Sequence, residues 1–360
     1  MTGKEIRVWM DGSFDMLHCG HAVAIQQAKE YGDILVVGIQ PNTDIVVHKG
    51  PPVFTESERH RLLSGIKWVN QVVDHAPYGT TTAILDEHKC DFCVHGDDAP
   101  ILTNPDDILW KLHAVHRLRF AKRIGTSTTK IIQRILDRSL QSTSDGEVQS
   151  NGSAQQTVSA GESQESEFES SHFLITSSTM AKFSNQKSPQ AGDTVVYVAG
   201  AFDIFHTGHL DFLEKAAALG DFLLVGVHSD RVVKWRKGPV QPLLSLQDRV
   251  LRVLATKSVS DVVMGAPYAI TQDFMDCYKI KLVCHGETPV KATDGGRDPF
   301  EVPTRLGKFQ EIVSGNSTRT NDIISRVVER REDYERRNKK KQASEERANG
   351  DRYPAADVRN

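Results

Sequence analysis

The sequence predicts two tandem α/β domains, each built on a doubly wound parallel sheet. One observation is a repeat, because residues 11–21 (DGSFDMLHCGH) return as residues 199–209 (AGAFDIFHTGH). A second is that each copy follows a β-branched apolar run and leads into a segment with helical periodicity. A strand, a tight loop and a helix in this order begin a βα unit, so the repeat predicts a duplicated domain.

The first strands and helices of both copies follow from continuous apolar runs. Such runs are typical of strands buried on both faces of a parallel sheet, whose ligands bind at the carboxyl ends of the strands. The helix after the histidines is predicted to end at Gly32 in the first copy and at Gly220 in the second. The predicted strands are residues 6–10 and 34–39 in the first copy, and residues 195–198 and 222–227 in the second.

The register between the copies extends beyond the first motif. Lys49-Gly50-Pro51 recurs at residues 237–239, at the same distance from the histidines. A register this steady predicts two globular copies in tandem and excludes a short-period solenoid. The other recurring groups are residues 76–78, 95–96 and 125–128, which return as residues 266–268, 285–286 and 315–318.

Composition divides the chain into four parts. Residues 1–138 form the first domain and residues 193–330 the second. Residues 139–192 are a flexible linker rich in Ser, Gln and Glu, whose more apolar end is predicted to dock on a domain. Residues 331–360 are a heavily charged tail without an apolar stripe, for which we expect a solvated helix.

The overall composition limits the classes of function. The chain has 360 residues, and 39% of them are hydrophobic, which is enough for two cores. Its net charge of −3 gives no bulk attraction to nucleic acid or to a membrane. We expect neither a secretory leader nor a membrane span. The chain has five cysteines, and this odd number fits a reducing compartment. These observations together predict a cytoplasmic protein.

Cys90 and Cys93 form a C-x-x-C pair that invites a zinc or redox interpretation. A four-ligand zinc site needs two such pairs, and no second pair is near in the sequence. The pair lies in a stretch with the composition of a buried strand. We therefore expect both thiols in the core and no protein-bound metal.

Two histidines flank a glycine where each repeated helix begins, His18 and His21 in the first copy and His206 and His209 in the second. A helix start offers free N–H groups and positive partial charge, and the glycine lets a phosphate approach the backbone. The imidazoles can donate hydrogen bonds as phosphate charge shifts. Purely structural histidines are the alternative, but repetition of the whole context favours a phosphate site.

Two further elements fit a phosphate site. Lys49 and Lys237 lie in Lys-Gly-Pro loops, where an ammonium held over a polyphosphate would offset its charge. A solvated lysine is the alternative. Residues 125–128 precede a predicted amphipathic helix at residues 130–136, and their hydroxyls can cap this helix as well as bind phosphate.

The two His-x-Gly-His motifs, the stretch at residues 49–59 (KGPPVFTESER) and the Gly-x-Ser-Thr groups resemble the cytidylyltransferase family of the nucleotidyltransferase fold, whose domains are Rossmann-like. The resemblance covers nearly the whole chain outside the linker and tail. The tandem arrangement is similar to that of family members that act on phosphoethanolamine. This resemblance implies that CTP and phosphoethanolamine give CDP-ethanolamine and pyrophosphate, a step of phosphatidylethanolamine synthesis, with Mg²⁺ carried by the CTP.

The resemblance also implies roles for residues. The substrate phosphate attacks the α-phosphorus in line, so the protein supplies positioning and charge stabilisation. The residues implied in catalysis are His18, His21, Lys49, Arg123, His206 and His209. Those implied in nucleotide binding in the first copy are Ser13, Phe14, His95, Gly96, Asp97, Gly125, Thr126, Ser127 and Thr128. In the second copy they are Ala201, Phe202, Leu210, Asp211, Phe212, Lys237, His285, Gly286, Glu287, Thr288, Ser314, Gly315, Asn316, Ser317 and Thr318.

Tyr78 and Tyr268 belong to the repeated Ala-Pro-Tyr groups. Each ring is a candidate face for the ammonium of the substrate, a contact worth about 0.5 to 2 kcal/mol. Core packing explains the two tyrosines almost as well.

The family's last motif, Arg-Thr-x-Gly-x-Ser-Thr, is incomplete in both copies. In the first copy Arg123 stands one residue too close to Gly125. In the second, Ile312 occupies the arginine position and Asn316 precedes the serine. Because Arg123 can still reach a phosphate, our hypothesis is that the first copy does the chemistry and the second binds CTP but turns over poorly.

The same residues are also consistent with other functions. A cytidylyltransferase for choline phosphate or another small phosphoalcohol is one, although the choline type has one catalytic domain and a long amphipathic membrane helix. A non-catalytic CTP-sensing scaffold is another. Two copies of one fold can pair about a pseudo-twofold axis, and the whole chain could form a homodimer. Any membrane contact would be peripheral, at the endoplasmic reticulum.

Overall fold

The computed structural model describes residues 4–96, 115–118, 126–144, 179–184, 188–293 and 295–352. Within them the chain forms two five-stranded parallel sheets, which confirms the two predicted α/β domains. The strands of the first domain are β1 (Arg7–Gly12), β2 (Ile34–Ile39), β3 (Gln71–Val73), β4 (Phe92–Gly96) and β5 (Val115–Leu118). Those of the second are β6 (Val195–Gly200), β7 (Phe222–His228), β8 (Asp261–Ala266), β9 (Ile280–Gly286) and β10 (Phe309–Ile312).

Both sheets have one topology. The strand order is β3-β2-β1-β4-β5 in the first domain and β8-β7-β6-β9-β10 in the second. The direction in which successive strands are added to the sheet reverses between β1 and β4 in the first domain. In the second domain it reverses between β6 and β9. Ligands of doubly wound sheets bind at the carboxyl ends of the strands at such a point.

Helices connect the strands. In the first domain they are α1 (Cys19–Lys29), α2 (Asn42–Lys49), α3 (Glu56–Ser64), α4 (Thr82–Glu87) and α5 (Thr128–Ser144). In the second domain they are α6 (Thr207–Ala217), α7 (Asp230–Lys237), α8 (Leu246–Leu254), α9 (Gln272–Cys277), α10 (Glu301–Arg305) and α11 (Thr320–Glu329), and α12 (Arg331–Arg352) follows. In the part of the chain described, no helix is long and apolar enough to cross a bilayer.

The glycines after the first helix of each domain do not cap it as predicted. Helix α1 ends at Lys29 and α6 at Ala217, and neither Gly32 nor Gly220 has a positive φ. A Cβ atom on Gly32 would lie 2.7 Å from the Ile6 carbonyl oxygen, and one on Gly220 would lie 2.4 Å from the Thr194 carbonyl oxygen. Each glycine therefore permits close approach of the helix end to the sheet.

The two domains pack together about a pseudo-twofold axis. The Lys67 amide donates to the Ala255 carbonyl at 2.9 Å, and the Lys257 amide donates to the Gly65 carbonyl at 2.8 Å. Around these bonds α1 packs on α8 and α3 packs on α6, two contacts that a twofold rotation would exchange. One large apolar cluster contains buried residues of both domains.

The end of the predicted linker packs on the first domain. Phe183 is buried, and its ring centroid lies 4.6 Å from that of Trp68. The Lys67 ammonium donates to the Phe183 carbonyl at 3.2 Å. Residues 179–184 therefore belong to the packed part of the molecule.

The prediction of a solvated C-terminal helix is wrong. Tyr334 on α12 is only 1% exposed, and its hydroxyl donates to the Pro52 carbonyl at 3.1 Å. The Asn338 amide donates to the Thr129 carbonyl at 3.3 Å. The helix lacks an apolar stripe, but polar side chains on one face bond to the first domain instead.

Cys90 and Cys93 pack in the core, as expected. Both thiols are buried in a small apolar cluster that includes Trp9, Val36 and Leu85. Burial raises the pKa of the Cys93 thiol to about 12, so it is protonated at neutral pH.

Candidate active site

The loop after the first strand of each domain has a strained backbone. Phe14 and Met16 have φ of 45° and 49°, and Phe202 and Ile204 have φ of 48° and 43°. Such values are uncommon for bulky residues and cluster at functional sites. The same strain at the same motif positions in both copies points to these two loops.

His18 and His21 form a stacked pair at the start of α1. His18 Nδ1 accepts a hydrogen bond from the Gly20 amide at 3.1 Å, and His21 Nδ1 accepts one from the His18 amide at 3.4 Å. The ring centroids are 3.9 Å apart. Because each Nδ1 is an acceptor, the neutral ring carries its proton on Nε2, which remains as a donor for a ligand.

Electrostatics keep this pair neutral in the ligand-free protein. Burial lowers the pKa of His18 to about 4. Burial also lowers the pKa of His21 well below its usual value, and the nearby His18 adds to this shift. A bound polyanion would raise both pKa values, because it favours the charged rings.

The second copy repeats the pair with one difference. His209 Nδ1 accepts from the His206 amide at 3.3 Å, and the ring centroids are 3.8 Å apart. Burial lowers the pKa of His206 to about 3. Among the described residues, however, no hydrogen-bond partner reaches His206 Nδ1, whereas His18 Nδ1 is engaged.

Lys49 ends α2 beside the first histidine pair. Its Nζ lies 3.5 Å from Gln40 Oε1 and 5.6 Å from the centre of the Tyr78 ring. Burial lowers the pKa of Lys49, and the carboxylate of Asp11 opposes this shift. Gly50 follows with φ of 85°, a turn that favours glycine. The second copy repeats this design at Lys237, whose pKa burial also lowers.

The threonine-rich loop before α5 caps that helix, as predicted. Ser127 Oγ accepts from the Lys130 amide at 3.3 Å. The Thr128 hydroxyl donates to the Asp15 carbonyl at 3.0 Å, which fixes the loop against the first motif. Thr126 bonds to the second domain through its hydroxyl.

The predicted register of the last motif is wrong by two residues in the second domain. Helix α11 begins at Thr320, whose hydroxyl donates to the Asp203 carbonyl at 3.1 Å. Thr320 is therefore the structural counterpart of Thr128, and Thr318 is not. The second loop folds on itself, since Asn316 Oδ1 accepts from the Thr318 amide at 3.0 Å.

This second loop gathers several of the predicted residues. The Asn316 amide donates to Asp211 at 2.6 Å, and the Ser314 hydroxyl donates to the Asn316 carbonyl at 3.0 Å. Arg319 donates to the Thr288 hydroxyl at 3.1 Å. Sequence reasoning missed Arg319, and its only signal was its place directly before a helix.

Other predicted residues have different surroundings. Leu210 is fully buried at the domain interface, where a Cβ atom on Gly65 would lie 2.7 Å from it. Phe212 lies beside Gly286, which follows His285 at the end of β9. The next residue, Glu287, is exposed. His95 and Gly96 end β4. Asp97, Arg123 and Gly125 lie outside the described residues, and the remaining predicted residues, Gly315 and Ser317, lie in the loop before α11.

Both candidate ammonium-binding tyrosines already face a cation of the chain. The guanidinium of Arg236 lies 4.5 Å from the centre of the Tyr268 ring. Tyr78 stacks on His48 at 3.8 Å and faces Lys49. Ammonium recognition by these rings stays a prediction.

Sequence reasoning also missed two buried arginines that support the strained loops. Arg59 donates to the Ser13 carbonyl at 2.8 Å, and Arg249 donates to the Ala201 carbonyl at 2.7 Å. Both side chains are fully buried. Their repetition at matching places in the two copies was the signal that could have found them.

Comparison with known proteins agrees with this geometry. The cytidylyltransferase-like family matches residues 9–134 and 197–332. The chain is 41% identical over 95% of its length to ethanolamine-phosphate cytidylyltransferase of Mus musculus, of which it covers 90%. It is likewise 41% identical to that of Dictyostelium discoideum, covering 96% of it.

A choline-phosphate relative matches only in part. Choline-phosphate cytidylyltransferase 2 of Arabidopsis thaliana is 38% identical over 38% of this chain and 46% of its own length. The full-length matches therefore include both domains, and the partial match does not. The chain belongs to the ethanolamine-phosphate cytidylyltransferase family.

Proposed function

We propose that this chain transfers CMP from CTP to phosphoethanolamine and releases pyrophosphate. The observation that carries the proposal is the stacked, neutral pair His18 and His21 at a helix start beside Lys49. Two Nε2 donors, a helix N-terminus and an ammonium together suit a polyphosphate whose charge increases as a bond breaks.

The reaction is a single displacement. A phosphate oxygen of phosphoethanolamine attacks the α-phosphorus of CTP, and the bond from that phosphorus to the bridging oxygen of pyrophosphate breaks. His18 and His21 donate hydrogen bonds to the phosphates, and Lys49 offsets the charge of the departing pyrophosphate. Ser127 and Thr128 hold the start of α5 against the motif loop.

Mg²⁺ would arrive on the triphosphate. Among the described residues, no three His, Cys, Asp or Glu side chains are grouped so that they could hold a metal ion. Phosphate oxygens are hard ligands that Mg²⁺ prefers, and the ion would neutralise part of their charge. The protein's own groups bind and orient the substrates in this scheme.

The first domain does the chemistry in this proposal, and the second binds CTP. Two features support a difference: His206 Nδ1 is unpartnered among the described residues, and the Asn316 side chain closes the loop before α11. The reaction runs in the cytoplasm, with any membrane contact confined to the surface of the endoplasmic reticulum. Sedimentation equilibrium of the full chain tests whether it forms a homodimer.

The deciding experiment compares two double variants. His18→Ala with His21→Ala should abolish formation of CDP-ethanolamine, and His206→Ala with His209→Ala should retain part of it while weakening CTP binding. Unchanged formation of CDP-ethanolamine in the His18 and His21 double variant would contradict the proposal for the first site.

The choice of acceptor tests the remaining alternatives. Pyrophosphate release from CTP is measured with phosphoethanolamine, phosphocholine and glycerol 3-phosphate in turn. Release that is fastest with phosphoethanolamine supports the proposal. Faster release with phosphocholine reassigns the substrate, and no release with any acceptor favours a CTP-sensing scaffold.

A further inference from the structure

One face of α12 contacts three segments of the first candidate site. Tyr334 reaches the loop after Lys49 through the Pro52 carbonyl, and Asn338 reaches Thr129 beside the capping loop. Between them, Arg337 reaches the motif residue Asp15. The helix comes from the other end of the chain, so these contacts close the site with residues that the first domain lacks.

Arg337 is the central anchor. Its guanidinium donates to Asp15 Oδ2 at 3.2 Å and to the Pro51 carbonyl at 2.7 Å. Its side chain is 8% exposed and that of Asp15 is 1% exposed. Asp15 also accepts the amide hydrogens of Val53 and Phe54 at 3.0 Å. The ion pair therefore ties α12 to the carboxylate that shapes the loop after Lys49.

The second domain has the carboxylate without this anchor. Asp203 accepts the Leu243 and Leu244 amides at 2.7 and 3.0 Å, as Asp15 does with its own loop. Among the described residues, no arginine donates a hydrogen bond to Asp203. A Cβ atom on Gly238 would meet nothing within 4 Å, whereas one on Gly50 would lie 3.1 Å from Arg337. The covering helix is thus a feature of the first site.

A cationic cleft lies between α12 and the loop after Lys49. It has a volume of about 600 Å³, and its lining includes Lys49, Arg336, Arg337 and Lys340. Among the described residues, Asp333 is its one acidic lining residue. It pairs with Arg330 at 3.1 Å and lies 3.7 Å from Arg336. The cleft therefore keeps an excess of positive charge.

Lys341 comes four residues after Arg337 and therefore lies on the same face of α12. It follows Lys340 on α12, and both side chains are exposed. Burial lowers the pKa of His18, Asp248 opposes this shift, and Lys341 adds to it. Burial likewise lowers the pKa of Lys49, Asp11 opposes this shift, and Lys341 adds to it. The positive charge of Lys341 thus disfavours the protonated forms of His18 and Lys49 in the ligand-free protein.

We propose that α12 is a working part of the first active site, in which Arg337 fixes the helix on Asp15 and Arg336, Lys340 and Lys341 bind a substrate phosphate group beside Lys49. The inference rests on the proposed function. The ligand class is a phosphate ester or polyphosphate, supplied either by the triphosphate of CTP or by the phosphomonoester of phosphoethanolamine. Arg337 is a positioning residue, and the other three are phosphate ligands.

The test uses the full chain with Lys340→Gln and Lys341→Gln combined. Both positions are exposed, so the change should leave folding intact, which is checked by thermal unfolding. We expect about a tenfold rise in one KM, because a charged hydrogen bond is typically worth that factor. A rise in the KM for CTP assigns the triphosphate, and a rise in the KM for phosphoethanolamine assigns the phosphomonoester.

Lys339→Gln is the matched control. Lys339 is exposed on the same helix and, within the described ranges, is not among the residues that line the cleft or anchor the helix. It should leave both KM values unchanged. If the double variant behaves as this control does, the proposal is overturned. Arg337→Gln should lower kcat as well as raise KM, and Arg337→Lys should restore part of kcat, since it keeps the charge beside Asp15.

Binding of inorganic pyrophosphate separates this inference from the proposed function. Titration calorimetry should give about tenfold weaker binding to the Lys340 and Lys341 double variant than to Lys339→Gln. If the unmodified chain forms no CDP-ethanolamine but this difference persists, the reaction assignment fails and the cationic site stands. If the chain is active and the double variant matches Lys339→Gln in both KM values and in pyrophosphate binding, the cationic site fails alone.

Discussion

The carboxylate of Asp248, on α8 of the second domain, accepts a hydrogen bond from the Thr126 hydroxyl of the first domain at 2.7 Å. Its other oxygen accepts from the Cys19 thiol at 3.0 Å. Cys19 lies between His18 and Gly20, and Thr126 lies in the loop before α5. One carboxylate of the second domain therefore joins two segments of the first site.

Asp248→Ala should lower the activity of the first site. The change removes two hydrogen bonds to a charged group, each worth about 1.5 to 3 kcal/mol, and frees the Thr126 loop. We expect kcat/KM for CTP to fall by about tenfold or more. Steady-state kinetics with varied CTP measure this.

The matched control is Glu58→Gln, at the corresponding position of the first domain. Glu58 accepts from Arg326 on α11 at 2.8 Å and so contacts the second domain's last motif helix. It should change the kinetics of the first site less than Asp248→Ala does. Equal losses from both changes would contradict a specific role for Asp248.

Arg252→Leu should preserve stability while lowering activity. Arg252 is 2% exposed, and its Nε donates to the carbonyl of Leu17, the residue before His18, at 3.1 Å. Its guanidinium also lies 4.1 Å from the Phe205 ring in the second domain, and burial lowers the pKa of Arg252 to about 9. Among the described residues its Nη2 has no hydrogen-bond partner.

The physical reason is the cost of a buried charge. Replacing buried ionic groups by apolar ones of similar volume is often neutral or stabilising. Leucine already occupies the corresponding place in the first domain, at Leu62. We therefore expect an unchanged or higher Tm together with a lower kcat. A large fall in Tm with full activity would refute this role for Arg252.

The ligand-free protein should lose stability as the pH falls from about 6.5 toward 4. Burial lowers the pKa of His18 to about 4 and that of His206 to about 3. A histidine in the unfolded chain has a pKa of about 6.5, so below that pH the unfolded state binds more protons than the folded state. Each such histidine can remove up to about 3 kcal/mol of the free energy of unfolding across this window.

Thermal unfolding between pH 7.5 and 4.5 measures the effect. The variant His206→Gln should show a flatter dependence of Tm on pH, because one of the shifted groups is gone. The slope is compared with that of the unmodified protein, so a constant offset in Tm does not matter. The same slope in both proteins would count against the neutral, buried state of His206.

Gly20→Ala and Gly208→Ala should affect different steps. A Cβ atom on Gly20 would lie 2.9 Å from His18 Cε1 and 3.3 Å from the Thr126 carbonyl oxygen. On Gly208 it would lie 2.4 Å from the Thr318 carbonyl oxygen, a worse clash. If the first site alone turns over, Gly20→Ala should lower kcat by about tenfold or more, although its clash is milder.

Calorimetric titration with CTP completes this comparison. Gly208→Ala should weaken or remove one of two CTP-binding events and leave kcat within about twofold of the unmodified value. A larger loss of kcat from Gly208→Ala than from Gly20→Ala would assign turnover to the second domain.

Local patterns in the sequence were enough for the sheets and the histidine pairs. Residues 34–39 are apolar throughout and form β2 over the same residues, because a strand buried on both faces needs no alternation. His18 and His21 cap α1 through bonds within four residues. Their roles in binding stay predictions, which the experiments above address.

Contacts between distant parts of the chain could not be read in the same way. The docking of α12 depends on hydrogen bonds from Tyr334, Arg337 and Asn338. The pattern of hydrophobic residues in the sequence does not predict such bonds. The shift that pairs Thr320 with Thr128 is visible only where each helix begins. Gly32 has the sequence of a helix cap, but its small size serves an approach to Ile6 that only the folded chain defines.

The paired backbone bonds at Lys67 and Lys257 have a consequence for asymmetry. In a dimer of two identical subunits, the positions related by the twofold axis carry the same residue. Such a dimer also dissociates on dilution. Here one chain carries both halves, so the pairing is intramolecular and does not depend on protein concentration. A single chain can also carry arginine at position 252 and leucine at the related position 62. The guanidinium of Arg252 then contacts both histidine loops, and the two halves can take different roles.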